Sequence, residues 1–230
     1  MEENKMDILE IMKERHSVRA YTEKKIESEI LEKLQNKIEE LNKESGLNMQ
    51  LILDEPKAFD SFMAHYGKFD GVRNYIAIIG NKDSSLAEKA GYYGEQLVLF
   101  SQSLGLNTCW VALTFKKIKD AYKINKNEKM QLVIAIGYGL TQGVSHKTKT
   151  YEQVTNIKGE APKWFIDGVN AALLAPTAVN QQKFKIHYND GKVKITASKW
   201  PYANVDLGIV KCHFEIGSGK KFNKDGIIYE

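Results

Sequence analysis

Arginine is the scarce base in this chain: of 33 basic residues, only Arg15, Arg19 and Arg73 are arginines. Two of them fall within Arg15-His16-Ser17-Val18-Arg19. On a lysine-rich background this clustering points to a need that lysine does not meet, planar two-point recognition of a phosphate or carboxylate. If the segment is extended, residues two apart project from one side. Arg15, Ser17 and Arg19 can then direct two guanidiniums and a hydroxyl at one anion. The plainer alternative is a pair of surface arginines after a helix, with Ser17 as a turn residue.

A second polar concentration is Ala175-Pro176-Thr177-Ala178-Val179-Asn180-Gln181-Gln182-Lys183-Phe184. Taken alone, its Asn-Gln-Gln run is equally well read as an ordinary polar turn. Lys147 and Lys149 stand in a lysine-rich stretch, either as anion partners or as a solvated face. Cys109 and Trp110 read as core packing, and Tyr92 and Tyr93 as packing along a helix. His65 and His146 have no triad or metal partners at recognisable spacing and read as surface residues. No side chain stands out as a catalytic acid, a catalytic base or a metal ligand.

The periodicities that must position these residues begin with a short helix from Asp7 to Arg15, capped by Asp7, with Ile8, Ile11 and Met12 as its buried stripe. A longer helix follows from Ser28 to Glu44, its apolar face Ile30, Leu31, Leu34, Ile38 and Leu41, ending at Gly46. Met49, Leu51 and Leu53 alternate as in a half-buried strand. The runs 75–79 and 132–136 are continuously apolar and predict central strands. A helix from Ser85 to Leu104 lies between them, opened by a Ser85-x-x-Glu88 capping box. Residues 145–160 read as an exposed connection. Pro162 then opens a helix to Leu174 at its first position, and Phe184, Ile186 and Tyr188 pair with Val193 and Ile195 across an Asn189-Asp190-Gly191 turn. A last helix is capped by Asn204, runs through Ile216 and ends at Gly217 and Gly219.

With 230 residues the chain suits one large domain or two small ones, and 43% hydrophobic content argues against disorder. A net charge of +4, from 33 basic and 29 acidic residues, is too evenly mixed for a nucleic-acid surface but fits an anionic ligand. No apolar run approaches the roughly 20 residues needed to cross a membrane. The opening Met1-Glu2-Glu3-Asn4-Lys5 shows no signal-peptide pattern. Two distant cysteines without metal spacing suit free thiols in a reducing compartment. The expectation is a cytoplasmic protein with no nucleic-acid or membrane partner.

Four segments together resemble the nitroreductase family of FMN-dependent flavoproteins. Arg15-His16-Ser17-Val18-Arg19-Ala20-Tyr21 is similar to its N-terminal Arg-x-Ser-x-Arg motif. Ala175 to Phe184 is similar to its Ala-Pro-Ser-Ala-x-Asn-x-Gln-Pro-Trp motif, with Thr177, Lys183 and Phe184 as departures. Gly105-Leu106-Asn107-Thr108-Cys109-Trp110 resembles its Gly-Leu-Gly-Thr-Cys-Trp segment. Gly137-Tyr138-Gly139, followed by His146-Lys147-Thr148-Lys149, resembles its Gly-Tyr-Pro strand end and later basic pair. The resemblance implies an α+β fold with a central, mainly antiparallel sheet flanked by helices. It implies FMN held by Arg15, His16, Ser17, Arg19, Pro176, Thr177, Asn180, Gln182, Lys147 and Lys149. It also implies NADH or NADPH as donor, and ping-pong transfer to a small-molecule oxidant such as a nitroaromatic or quinone. A flavin carrier or sensor without turnover is the alternative.

The Pro-Thr-x-x-Asn motif is displaced. Family members carry it after the second helix, where this chain reads Asn42-Lys43-Glu44-Ser45-Gly46; here it follows the helix before Leu174. A degenerate repeat of helix, turn and strand supports the displacement. The expectation is a single domain over 1–230, with halves of about 1–150 and 151–230, in which one chain imitates the usual dimer. A monomer is expected rather than an obligate homodimer.

Overall fold

The computed structural model describes residues 7–229, so the opening Met1 to Lys5 lies outside the described residues. In chain order the elements are α1 (Ile8–Glu14), α2 (Ser28–Ser45), β1 (Gln50–Ile52), α3 (Phe62–Tyr66), β2 (Asn74–Asn81), α4 (Leu86–Ser103), β3 (Asn107–Val111), β4 (Glu128–Gly137), α5 (Tyr151–Val154), α6 (Lys163–Ala172), β5 (Phe184–Asn189), β6 (Lys192–Ala197), α7 (Ala203–Ser218) and β7 (Ile227–Tyr229). The chain forms two compact units. Among the described residues, one comprises 14–86 and 96–145; the other comprises 7–13, 87–95 and 146–229.

The first unit holds a four-stranded sheet in the order β1-β2-β4-β3, antiparallel at every pairing. β2 and β4 are its inner strands, which explains their unbroken apolar runs: both faces of each are buried. Tyr75, Ala77 and Ile79 of β2 share a core with Val133 and Ala135 of β4, Cys109 and Val111 of β3, and the rings of Phe59 and Phe69. The expected alternation of Met49, Leu51 and Leu53 is corrected. Met49 is buried, but Ile52 enters the core and Leu53 is 39% exposed, because only Gln50–Ile52 is paired and the chain turns at Asp54, where φ is 52°. α2 ends as expected on Gly46, in the left-handed region at φ 71°, its N–H donating to the carbonyl of Asn42.

The second unit holds a three-stranded antiparallel sheet, β5-β6-β7. The expected hairpin joins β5 to β6 through Asp190 at φ 47° and Gly191 at φ 72°, two positive angles that match the twist of the strands. α6 lies against α7 through Phe165 and Phe214, with ring centroids 6.0 Å apart. Residues 87–95 meet α7 backbone to backbone. A Cβ on Gly208 would stand 2.0 Å from the carbonyl oxygen of Glu88, and one on Gly91 2.0 Å from that of Val205. Near this crossing His213 and Glu95 are both sealed from solvent, with Nε2 2.8 Å from Oε1. The other ring nitrogen of His213 lies 3.1 Å from the carbonyl oxygen of Ala171.

The α+β class and antiparallel pairing are as expected, but the strands form two sheets rather than one. α3, β3, the short α5 and β7 were not anticipated. Ile8 is 40% exposed, leaving Ile11 and Met12 as the buried residues of α1. The Ser85 capping box is not formed among the described residues: Ser85 Oγ donates to Asp83 at 2.7 Å, while Glu88 receives the Lys211 ammonium at 2.5 Å. Pro162 occupies the cap position rather than the first helical one. Tyr202, not Asn204, precedes α7, and Gly217 lies within that helix. Among the described residues no helix is long and apolar enough to cross a membrane.

Candidate functional site

The arginine segment runs alongside β3. Ser17 bridges Thr108 in parallel register, and the Val18 N–H donates to the Thr108 carbonyl at 3.0 Å. The residue after Thr108 is Cys109, whose thiol feels three side chains of the segment. Burial pushes the Cys109 thiol up from its ordinary range; the positive charge of Arg19, a hydrogen bond with Ser17 and the charge of Arg15 act against it. All three side chains therefore act on Cys109, Ser17 through a hydrogen bond and the two arginines through their charge. Arg15 is 3% exposed. Arg19 is open to solvent, its guanidinium 5.9 Å from the centre of the Phe69 ring. The Tyr21 hydroxyl donates to the Val18 carbonyl at 2.7 Å and fixes the end of the segment. Gly143, at φ 74°, closes over His16, where a Cβ would stand 2.8 Å from that of His16.

In the second unit the other predicted residues form a strained turn. Val179 has φ 45° and ψ 31° with its side chain 89% exposed, Asn180 has φ 55° and Gln182 φ 49°. A β-branched residue in the left-handed region is an outlier, and each such residue costs about 1–3 kcal/mol unless its surroundings over-determine it. Here they do. The Gln182 side-chain nitrogen donates to the Lys147 carbonyl at 2.7 Å, and its oxygen accepts the Lys149 N–H at 2.8 Å. Asn180 Nδ2 also donates to the Lys147 carbonyl at 2.9 Å, and the Lys149 ammonium donates to the Gln182 carbonyl at 2.7 Å. Thr177 Oγ1 accepts the Gln182 N–H at 3.0 Å.

From α7, Asp206 Oδ1 accepts the Ala178 N–H at 2.9 Å. Asp206 is 9% exposed, and burial pushes its carboxyl up to about 6 against the opposing Ala178 hydrogen bond. Gln181 Oε1, in the same turn, is buried without a hydrogen-bond partner among the described residues.

The structure thus gathers Arg15, His16, Ser17 and Arg19 in one unit, and Pro176, Thr177, Asn180, Gln182, Lys147 and Lys149 in the other. The Asn180 and Gln182 amides and the Lys149 ammonium are engaged within the chain. His146, expected at the surface, is half-buried with Nε2 3.2 Å from the Leu173 carbonyl oxygen, whereas His65 is exposed. Tyr92 packs on Tyr93 at 5.1 Å and donates to Glu215, in line with a packing role. Sequence reasoning missed Asp206. Its signal was an acidic residue between Val205 and Leu207, inside a run otherwise destined for burial.

A sequence model of the family described as "Putative TM nitroreductase" matches residues 7–218. A comparison with curated proteins finds no match. Among solved structures, a protein from Thermotoga maritima described as a putative nitroreductase superposes with a TM-score of 0.72 at 23% identity, over 100% of this chain and 96% of that one. A nitroreductase family protein from Streptococcus pneumoniae gives 0.53 at 15% identity, over 66% of this chain and 99% of its own. A protein from Exiguobacterium sibiricum, described as a putative nitroreductase in complex with FMN, gives 0.52 at 16%, over 66% and 98%. The fold of these structures is the fold of this chain, and with the family match covering nearly all of it, the chain belongs to the nitroreductase family of oxidoreductases.

Proposed function

We propose that the protein binds FMN and oxidises NADH or NADPH, reducing a small-molecule acceptor such as a nitroaromatic or quinone. The observation that carries this reading is the arginine segment lying alongside β3, where Arg15, Ser17 and Arg19 all act on Cys109. A flavin phosphate bears nearly two negative charges, and two guanidiniums with a hydroxyl suit such a group. Arg15, His16, Ser17 and Arg19 are its proposed partners, with Lys147 as a further cation. Lys149 acts indirectly, by fixing the turn through the Gln182 carbonyl. Pro176, Thr177, Asn180 and Gln182 form the turn proposed to meet the ring. The orphan acceptor on Gln181 suits a ring N–H donor.

When bound, FMN supplies the hydride-accepting ring and the reversible two-electron chemistry of a ping-pong cycle. The chain's residues hold, orient and tune; none is assigned as an acid or base. The structure from Exiguobacterium sibiricum, described as a complex with FMN, supports the reading. The two free, buried cysteines suit the reducing cytoplasm.

The decisive test is anaerobic titration of the purified protein. A yellow protein bleached by NADH or NADPH, and recoloured by a nitroaromatic or quinone, is the expected result. Colour that neither donor bleaches would favour a flavin carrier or sensor. A colourless protein that gains no flavin on incubation with FMN would overturn the reading.

A further inference from the structure

We propose that Asp206 is a positioning residue: through the Ala178 N–H it holds the 176–182 turn in its left-handed conformation, and through that turn it sets the redox behaviour of the bound flavin. The inference rests on the FMN reading above. Three observations carry it. The turn holds three non-glycine residues at positive φ, one of them β-branched and exposed, a conformation that persists only when it is held. The clamps from Lys147, Lys149 and Thr177 grip the Asn180–Gln182 end. At its other end, the 3-10 turn that opens at Ala178 is gripped by a side chain only from Asp206, among the described residues.

A carboxylate is an uncommon choice for this post. Asp206 is 91% buried, the complement of its 9% exposure, and no cation faces it in the described structure. A serine, threonine or asparagine could accept the same N–H without placing a carboxylate in the interior. What a carboxylate adds is a stronger, charge-assisted bond to a backbone amide and a negative potential beside the turn. Against the ring of a flavin, that potential opposes reduction, because reduction adds negative charge to the ring. The expected consequence is a lower flavin potential than a neutral residue would give.

Two kinds of measurement on the full-length protein test this, one of them independent of flavin. The Ala178 amide, followed by NMR hydrogen exchange, is expected to exchange at least tenfold faster in Asp206→Ala and to stay protected in Asp206→Asn, whose amide oxygen still accepts the bond. In the FMN-loaded protein both substitutions are expected to raise the flavin potential. Asp206→Asn should keep the wild-type FMN affinity, and Asp206→Ala should lose severalfold. If Asp206→Ala does not fold, Ala178→Pro deletes the donor instead. Proline is compatible with the first position of the 3-10 turn and with the extended Thr177 before it, at φ −117° and ψ 156°. It should reproduce the severalfold loss of affinity.

Unchanged Ala178 exchange in Asp206→Ala, or unchanged affinity in Ala178→Pro, would remove Asp206 as the holder of the turn. An unchanged potential in Asp206→Asn would remove its effect on the ring. Wild-type protein that binds no FMN would instead fail the reading beneath, while the exchange experiment still reports on the turn.

Discussion

Two arginines four residues apart do not carry equal weight when one is sealed and the other open. Arg15 is 3% exposed, so an anion paired with it is largely removed from water; Arg19 stands in solvent, where its attraction is screened. Arg15→Ala is expected to weaken FMN binding by about 2–4 kcal/mol, and Arg19→Ala by no more than about 1 kcal/mol with a stronger dependence on salt. Lysine in place of Arg15 should restore only part of the loss, because the fork is gone. Fluorescence titration of FMN at two ionic strengths measures both, and equal losses would contradict the proposed phosphate grip.

Asp206 yields a prediction about pH. Its carboxyl is raised from 3.8 to about 6 on folding, so between those values the native state binds more protons than the unfolded one. Stability contributed at this site therefore falls as pH rises through about 4 to 6, by roughly 3 kcal/mol in all. Asp206→Asn should flatten that fall, which urea unfolding at pH 4.5 and 7 would show; parallel curves would refute it. At this scale the arginine segment was legible because its spacing is itself the geometry. Asp206 was not, because its partner is a backbone N–H 28 residues away in sequence. Asn180 and Gln182 were legible as a motif, but not as amides engaged with Lys147 and Lys149. Such bonds depend on where another segment passes.

Helix α7 owes its place to what it lacks at position 208. Gly208→Ala gains about 1 kcal/mol of helix propensity, but the added Cβ would stand 2.0 Å from the Glu88 carbonyl oxygen and 2.6 Å from the Tyr92 nitrogen. Backbone atoms cannot rotate away as a side chain can, so the clash outweighs the propensity. A net loss of about 2–3 kcal/mol is expected, read as a lower Tm. Alanine at Gly46, whose Cβ would meet nothing within 4 Å, should cost only what its φ of 71° demands, about 1 kcal/mol. A Gly208→Ala variant as stable as wild type would mean that the crossing can open without loss. Elements with strong internal periodicity were legible: α2, the inner strands β2 and β4, and the β5–β6 hairpin. β3 was not, because Asn107–Val111 directly follows a helix exit and has no flanking turn signal of its own. β7 is three residues long and is defined only by pairing with β6. The Ser85 capping box failed because Asp83 competes for the serine hydroxyl and Lys211 for Glu88. Local motif rules do not see such tertiary competition.

For the molecule as a whole, interleaved helix and strand patterns announced the α+β class. The division of the strands into two sheets follows from pairing between distant segments, which periodicity does not encode. What the sequence raised and only solution work decides is stoichiometry. The arginine segment and the Pro176–Gln182 turn occur once each, about 160 residues apart in the chain. We propose that one chain, acting alone, binds one flavin. At the corresponding place in the sequence, Asn42-Lys43-Glu44-Ser45-Gly46 forms the last turn and cap of α2, which offers no second copy of the turn. One FMN is then expected for each 26.1 kDa chain, on a particle of that mass. A homodimer whose sites borrow from both chains would also bind one flavin per chain, so the ratio alone does not separate the two cases, whereas mass and dilution do. Light scattering of the loaded protein should give the monomer mass, and flavin occupancy should stay constant on dilution well below micromolar. Mixing Arg15→Ala chains with Asn180→Ala chains is the sharper form. If each chain builds its own site, the mixture binds FMN no better than the mean of the two separate variants. Recovery of tight binding in the mixture would require sites shared between chains, and the single-chain proposal would fall.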